Sequence, residues 1–143
     1  VMAAMQAFPS DRSGLLRGFT FFSLLAVYEV DDASGLARLQ RVAGLGAIEL
    51  SVAALLTHPT SDEVLRSTCC ILPNVTYYDA NASDAAREAS QQHAARAVKA
   101  GAVQAIVAAM RACPPRPTSP VLGEVENRIR ALANIIANKA EYK

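Results

Sequence analysis

The sequence predicts an all-α fold, a solenoid of stacked helical repeats, and three observations lead there. One apolar phrase occurs three times. Gly101–Pro114 reads GAVQAIVAAMRACP, Gly46–Pro59 reads GAIELSVAALLTHP, and Val1–Pro9 reads VMAAMQAFP, the tail of the same phrase. Met5, Leu55 and Met110 fall in register, as do Pro9, Pro59 and Pro114, and such self-similarity is the mark of a repeat protein. The composition agrees. With 52% hydrophobic but only 6% aromatic residues and no Trp, the chain suits helices packed through Ala and Leu and is poor in strand-formers. The punctuation agrees too, because glycine opens each full copy and proline, which disfavours a helical residue before it, closes each one.

The elements follow in order. Val1–Ala7 reads as the end of a helix stopped by Phe8-Pro9, and Ser10–Ser13 as a turn. A strongly apolar helix runs from about Gly14 to Val30 with Leu15, Leu16, Phe19, Phe22, Leu25, Ala26 and Tyr28. Gly18 inside it is either a weak point or a place where another helix comes close. An acidic loop, Val30–Gly35, leads to a short helix, Leu36–Ala43, closed by Gly44 or Gly46 as its C-cap. Ala47–His58 carries Ile48, Val52, Leu55 and Leu56 on its buried side and ends at Pro59. Thr60-Ser61-Asp62-Glu63 is a capping box for a helix from Ser61 to Val75 that Pro73 should kink or shorten.

After the polar turn Tyr77–Ser83, an alanine-rich helix over Asp84–Ala100 is expected to lie mostly on the surface, since apolar groups larger than Ala are nearly absent before Val98. Ala102–Ala112 presents Val103, Ile106, Val107 and Met110 to the core. The stiff loop CPPRPTSP then leads to Ser119-Pro120, Ser at the N-cap and Pro at N1. The last helix, from Pro120 to about Ala137, buries Val121, Val125, Ile129, Leu132, Ile135 and Ile136.

Each unit is thus a short helix ending in Gly, a medium helix ending at Pro, and a longer third helix. The boundaries fall at a partial repeat over residues 1–35, a repeat over 36–82 and a repeat over 83–143. Val1 falls inside the phrase, so the chain is expected to be a window of a longer one.

The pattern resembles the armadillo repeat. The residues that carry the likeness are Ala97-Val98-Lys99-Ala100-Gly101-Ala102-Val103, Val107 through Met110, Arg130-Ala131-Leu132-Ala133-Asn134-Ile135, Gly46-Ala47-Ile48 and Leu72-Pro73-Asn74-Val75. The spacings of 50 and 55 residues exceed the roughly 40–47 of such repeats. The excess is assigned to the Asp79–Gln92 region and the Pro114–Pro120 loop, on an edge where solenoids tolerate insertions.

The resemblance implies a right-handed α-solenoid of three-helix repeats whose third helices line a concave groove. It also implies that an Asn on each third helix clamps an extended peptide. Asn74 and Asn134 stand at that position, while the first copy has Leu25 or Ala26 there. Physically, an amide offers a donor and an acceptor and so pairs with a peptide unit of any sequence. One turn earlier, where the family often has an aromatic, this chain has Cys70 and Arg130. Asn127, Arg128 and Arg130 lie beside Asn134, and the two arginines offer forked recognition of acidic side chains or, alternatively, a solvated face. Asn74 and Asn134 have an ordinary reading as well, as helix-end residues satisfying local carbonyls.

Composition narrows the function. Fourteen basic against thirteen acidic residues leave a charge of +1, with no footprint for nucleic acid or anionic lipid. Leu15–Tyr28 is too short to span a bilayer. Cys69, Cys70 and Cys113 lack metal-ligand spacing and read as reduced thiols, which places the chain inside the cell, in the cytoplasm first. His58 and His93 have no acidic or thiol neighbours at ligand spacing, so no metal or other cofactor is expected. Asn74-Val75-Thr76 and Asn81-Ala82-Ser83 match the glycosylation sequon and read as chance. No Ser–His–acid set, glycine-rich phosphate loop or paired carboxylates suggest an enzyme. What remains is a protein-binding scaffold that grips a protein or extended peptide in its groove. The alternative is a structural subunit whose apolar ends are covered inside a larger assembly.

Overall fold

Repetition in the sequence becomes repetition of backbone geometry. The computed structural model describes residues 1–26, 33–76, 83–113, 132–133 and 135–136. Within them lie α1 (Met2–Ala7), α2 (Arg12–Ala26), α3 (Ala33–Gly44), α4 (Ala47–Thr57), α5 (Asp62–Thr76), α6 (Asp84–Lys99) and α7 (Ala102–Ala112), and no strand. The protein is all-α.

Helices α2 and α5 each run 15 residues and start 50 apart, while α4 and α7 each run 11 and start 55 apart. Phe8, His58 and Cys113 close α1, α4 and α7 at φ −127°, −126° and −122°. Each donates its N–H to the carbonyl four residues back, at Ala4, Ala54 and Ala109. Gly46 and Gly101 both turn the chain at positive φ, 92° and 87°, between one helix and the next. A side chain there would cost about 1–2 kcal/mol, which is why glycine stands at both. The recurrences also touch one another. His58 Nε2 lies 3.2 Å from the Pro9 carbonyl, and Cys113 Sγ lies 4.0 Å from the Pro59 carbonyl.

Packing follows the pattern. Helix α2 lies most extensively on α5, which in turn packs on α4, and α7 lies on α4. Phe19, Phe22, Ile48, Leu55, Leu65, Ile71, Leu72, Ile106 and Ile135 are fully buried, each contributing roughly 1.5–3 kcal/mol of transfer free energy. Gly18 is buried where α1 crosses α2, because a Cβ there would collide with Met5. The close approach, not a weak point, explains it. Buried hydroxyls stay satisfied on their own helices: Ser51 donates to Ala47, Thr68 to Val64 and Thr76 to Leu72.

Several expectations are corrected. Leu56 is 64% exposed, because the buried stripe Ile48–Val52–Leu55 leaves it one helical step around, beside exposed Ala53 and Thr57. Ile136 is 54% exposed next to wholly buried Ile135. Pro73 does not shorten α5, which continues to Thr76 with Pro73 buried, so packing overrides the lost N–H. Ser61, not Thr60, caps α5 by accepting from Val64 N–H at 3.3 Å. The third position is then Val64, which cannot reciprocate, so the cap is a simple one. Ala33, Ser34 and Gly35, expected in a loop, open α3.

Helix α6 is exposed or half-exposed at most positions but buries one whole face. Ala86, Ala89, Ser90, His93, Ala94 and Ala97 are buried, since small side chains admit close packing without a large apolar group. It is also four residues longer than α3, so most of the extra spacing of the third copy is one added helical turn rather than a loop. The expected Pro114–Pro120 loop and the start of the last helix lie outside the described residues.

Candidate functional site

Helices α2 and α5 face each other across a shallow groove of about 440 Å³. Leu16, Thr20, Ser23 and Leu24 form one wall, and Glu63, Arg66, Ser67 and Cys70 the other. These spacings of three and four are what one face of a helix presents. At one end Arg12 of α2 pairs with Glu63 of α5 at 3.0 Å, both largely exposed. Along the α5 wall Arg66 pairs with Asp62 at 3.4 Å. Thr20 donates its hydroxyl back to the Leu16 carbonyl at 2.9 Å, leaving oxygen lone pairs for another donor.

Asn74 continues the α5 stripe one turn beyond Cys70 and is half-buried. It makes no side-chain hydrogen bond among the described residues, so the ordinary reading of a local carbonyl partner has no counterpart here. The 50-residue offset that aligns both ends of α2 and α5 places Leu24, not Leu25 or Ala26, opposite Asn74. Leu24 is 65% exposed. Helix α2 therefore offers an apolar knob at the position where α5 offers an amide. Asn127, Arg128, Arg130 and Asn134 lie outside the described residues, as do Tyr77, Tyr78 and Asn81.

Sequence reasoning missed a second constellation, in which α6 is tied to the rest of the fold. Arg96 donates from Nε to Glu49 Oε1 at 3.0 Å and from Nη2 to Glu49 Oε2 at 2.8 Å. Its Nη2 also reaches the Ala43 carbonyl at 2.9 Å, near the end of α3. One guanidinium thereby holds α3, α4 and α6 together. At the other side of α6, His93 donates Nδ1–H to the Val75 carbonyl at 2.8 Å, and Ser90 donates to the Thr76 carbonyl at 2.6 Å. Both satisfy carbonyls that the end of α5 leaves without an intrahelical partner. Burial pushes the His93 pKa below 6.5, with Arg96 adding to the effect and the Val75 carbonyl and Glu49 opposing it. The small-residue face of α6 carries the signal, although its sequence in isolation looks solvent-facing.

Among the described residues no group of His, Cys, Asp and Glu is placed to hold a metal ion. No single helix there is long and apolar enough to cross a membrane. No protein-family model matches the chain, and no curated protein or solved structure matches it.

Proposed function

We propose that the chain is an armadillo-like α-solenoid that works by binding, laying an extended segment of a partner protein across α2 and α5. The observation that carries this reading is the position of Asn74, one turn beyond the groove-lining residues Glu63, Arg66, Ser67 and Cys70 of α5 and 50 residues on from Leu24 of α2. A half-buried amide on such a stripe can accept from one peptide N–H and donate to one carbonyl, holding a backbone whatever its side chains. Neighbouring helices lie about 8–10 Å apart, so a strand crossing from α2 to α5 advances about three residues at roughly 3.3 Å each. The groove between them would take a side chain of that strand against Leu24 and the aliphatic stem of Arg66, with hydroxyls of Thr20, Ser23 and Ser67 alongside. The recurrent caps and glycine turns support the stacked-repeat part of the reading, and the reading involves no catalysis.

The test is a selection of displayed random peptides on the folded chain, followed by titration of the enriched ones against three variants. Asn74→Ala should weaken them several-fold, in line with about 1 kcal/mol for a lost hydrogen bond. Leu24→Asn, which supplies a second amide one unit earlier, should tighten them. Leu56→Ala, on the exposed side of α4, should do nothing. Peptides that respond to Leu56 and ignore Asn74 and Leu24 would show that the working surface lies elsewhere.

A further inference from the structure

A second surface, away from the groove, is apolar and open. Val1, Ala4, Phe8, Gly14, Gly18 and Phe21 line a depression of about 320 Å³ between α1 and α2. Val1, Phe8 and Phe21 are 62%, 66% and 45% exposed, an unusual outlay of large apolar groups on one small face. Arg17 and Asp11 also line it.

The molecule itself shows what such a face holds. Moving 50 residues on, Val1 becomes Ser51, Ala4 becomes Ala54, Gly14 becomes Val64, Gly18 becomes Thr68 and Phe21 becomes Ile71. These five counterparts are 3% exposed or less, whereas His58, Ser61 and Ser67, the counterparts of Phe8, Asp11 and Arg17, are only half-buried. Around them α2 packs on α5, and α3 packs on both α4 and α5, while α6 and α7 also pack on α4. Phe8 and His58 close their helices with the same cap geometry, although α1 crosses α2 closely at Gly18 where α5 carries Thr68. We infer that the α1–α2 face is a docking surface for a helix pair of the α2–α3 build, contributed by a further repeat unit stacked on it. This interface is end-on, formed by the same packing that joins the first unit to the second, and it is independent of the groove reading.

The chain has no Trp, so Phe21→Trp places a single indole on this face. Because residue 51 is the counterpart of residue 1, joining an extra copy of residues 1–50 ahead of Val1 keeps the register, with Phe21→Trp carried only by the original copy. In the unextended chain the indole should emit at long wavelength and be readily quenched by acrylamide. In the extended chain the emission should move to the blue, the quenching constant should fall several-fold, and circular dichroism should show helix added in proportion to the new residues. A second variant guards against a local effect of the indole. Phe21→Asp in the original copy should leave the melting temperature of the unextended chain unchanged and lower that of the extended one. An indole equally quenchable in both chains, an added copy that contributes no helix, or a melting temperature insensitive to Phe21→Asp in both lengths overturns the inference. A blue shift that appears with rising concentration of the unextended chain overturns it as well, in favour of a second copy of the same face.

Discussion

Gly18→Ala asks whether α1 is held on α2 by the absence of a side chain. A methyl built on Gly18 overlaps Met5 Sδ and comes within 2.6 Å of its Cε and 2.9 Å of its Cγ. Met5 is only 4% exposed, so three of its atoms must move, out of their packed position and toward the depression that Met5 and Gly18 both line. Two effects oppose. Replacing Gly by Ala in a helix interior gains about 1 kcal/mol. Overpacking a filled site costs about 1–3 kcal/mol, and expelling Met5 altogether would approach the roughly 2–5 kcal/mol of truncating a buried Met. The expected net is a loss of about 1 kcal/mol.

The decisive comparison is a double-mutant cycle. Met5→Ala alone should cost about 2–3 kcal/mol by leaving a cavity. In the double variant the new methyl has nothing to strike and occupies part of that cavity. The pair should therefore be more stable than the sum of the two single losses by about 1–2 kcal/mol. Urea unfolding followed by far-ultraviolet circular dichroism measures all four chains. Additivity within about 0.5 kcal/mol, or a Gly18→Ala chain more stable than the parent, would refute the close-approach account.

Other outcomes follow from the same geometry. His93 is held neutral in the fold at a pKa below its ordinary 6.5, so the unfolded chain takes up a proton first as pH falls. Its contribution is intact above 6.5 and is lost progressively below it, so melting from about pH 7.5 to about pH 5 should fall more steeply in the parent than in His93→Gln. Parallel curves would exclude His93 as the cause. Arg96→Ala should cost about 1 kcal/mol, a modest figure because both partners are more than a third exposed. Arg96→Lys should restore only part of it, since an ammonium cannot fork across both Glu49 oxygens; full recovery would mean that charge alone matters. Gly101→Ala should destabilise by about 1 kcal/mol or more at its φ of 87°. Gly44→Ala, helical with open space around its Cβ, should be neutral or slightly stabilising, and equal losses at both would sink the backbone argument.

The helices were legible where glycine, proline or serine punctuated them. Ala102–Ala112 and the Ser83 start of α6 were read to the residue, because Gly101 and Ser83 each supply a local cap. What was misread depended on neighbours. The alternation of Ala with polar residues in α6 looks solvent-facing in isolation. It is buried because Ser90 and His93 meet the ends of α5 across 14 and 18 residues of chain, a relation no periodicity carries. Leu56 and Ile136 look like their buried neighbours in any hydropathy window, and only the direction of packing separates them. Near the candidate groove, Asn74 is singled out only by the resemblance to the armadillo repeat. The opposite wall was not legible, since Leu16, Thr20, Ser23 and Leu24 share a face of α2 but become a groove wall only when α2 lies on α5.

The added turn at the start of α6 sets a rule for how this chain can change length. A helix repeats every 3.6 residues, so four extra residues turn the downstream side chains by only about 40°, a rotation that small side chains such as Ala89, Ala94 and Ala97 can absorb. Insertions or deletions of one or two residues at the same place would swing that face by about 100–200° and carry His93 and Arg96 away from α5 and α4. Length variation among natural or engineered versions of this helix should therefore come in whole turns. The difference of 55 from 50 becomes a quantum of tolerated growth, four of its five residues spent inside the helix.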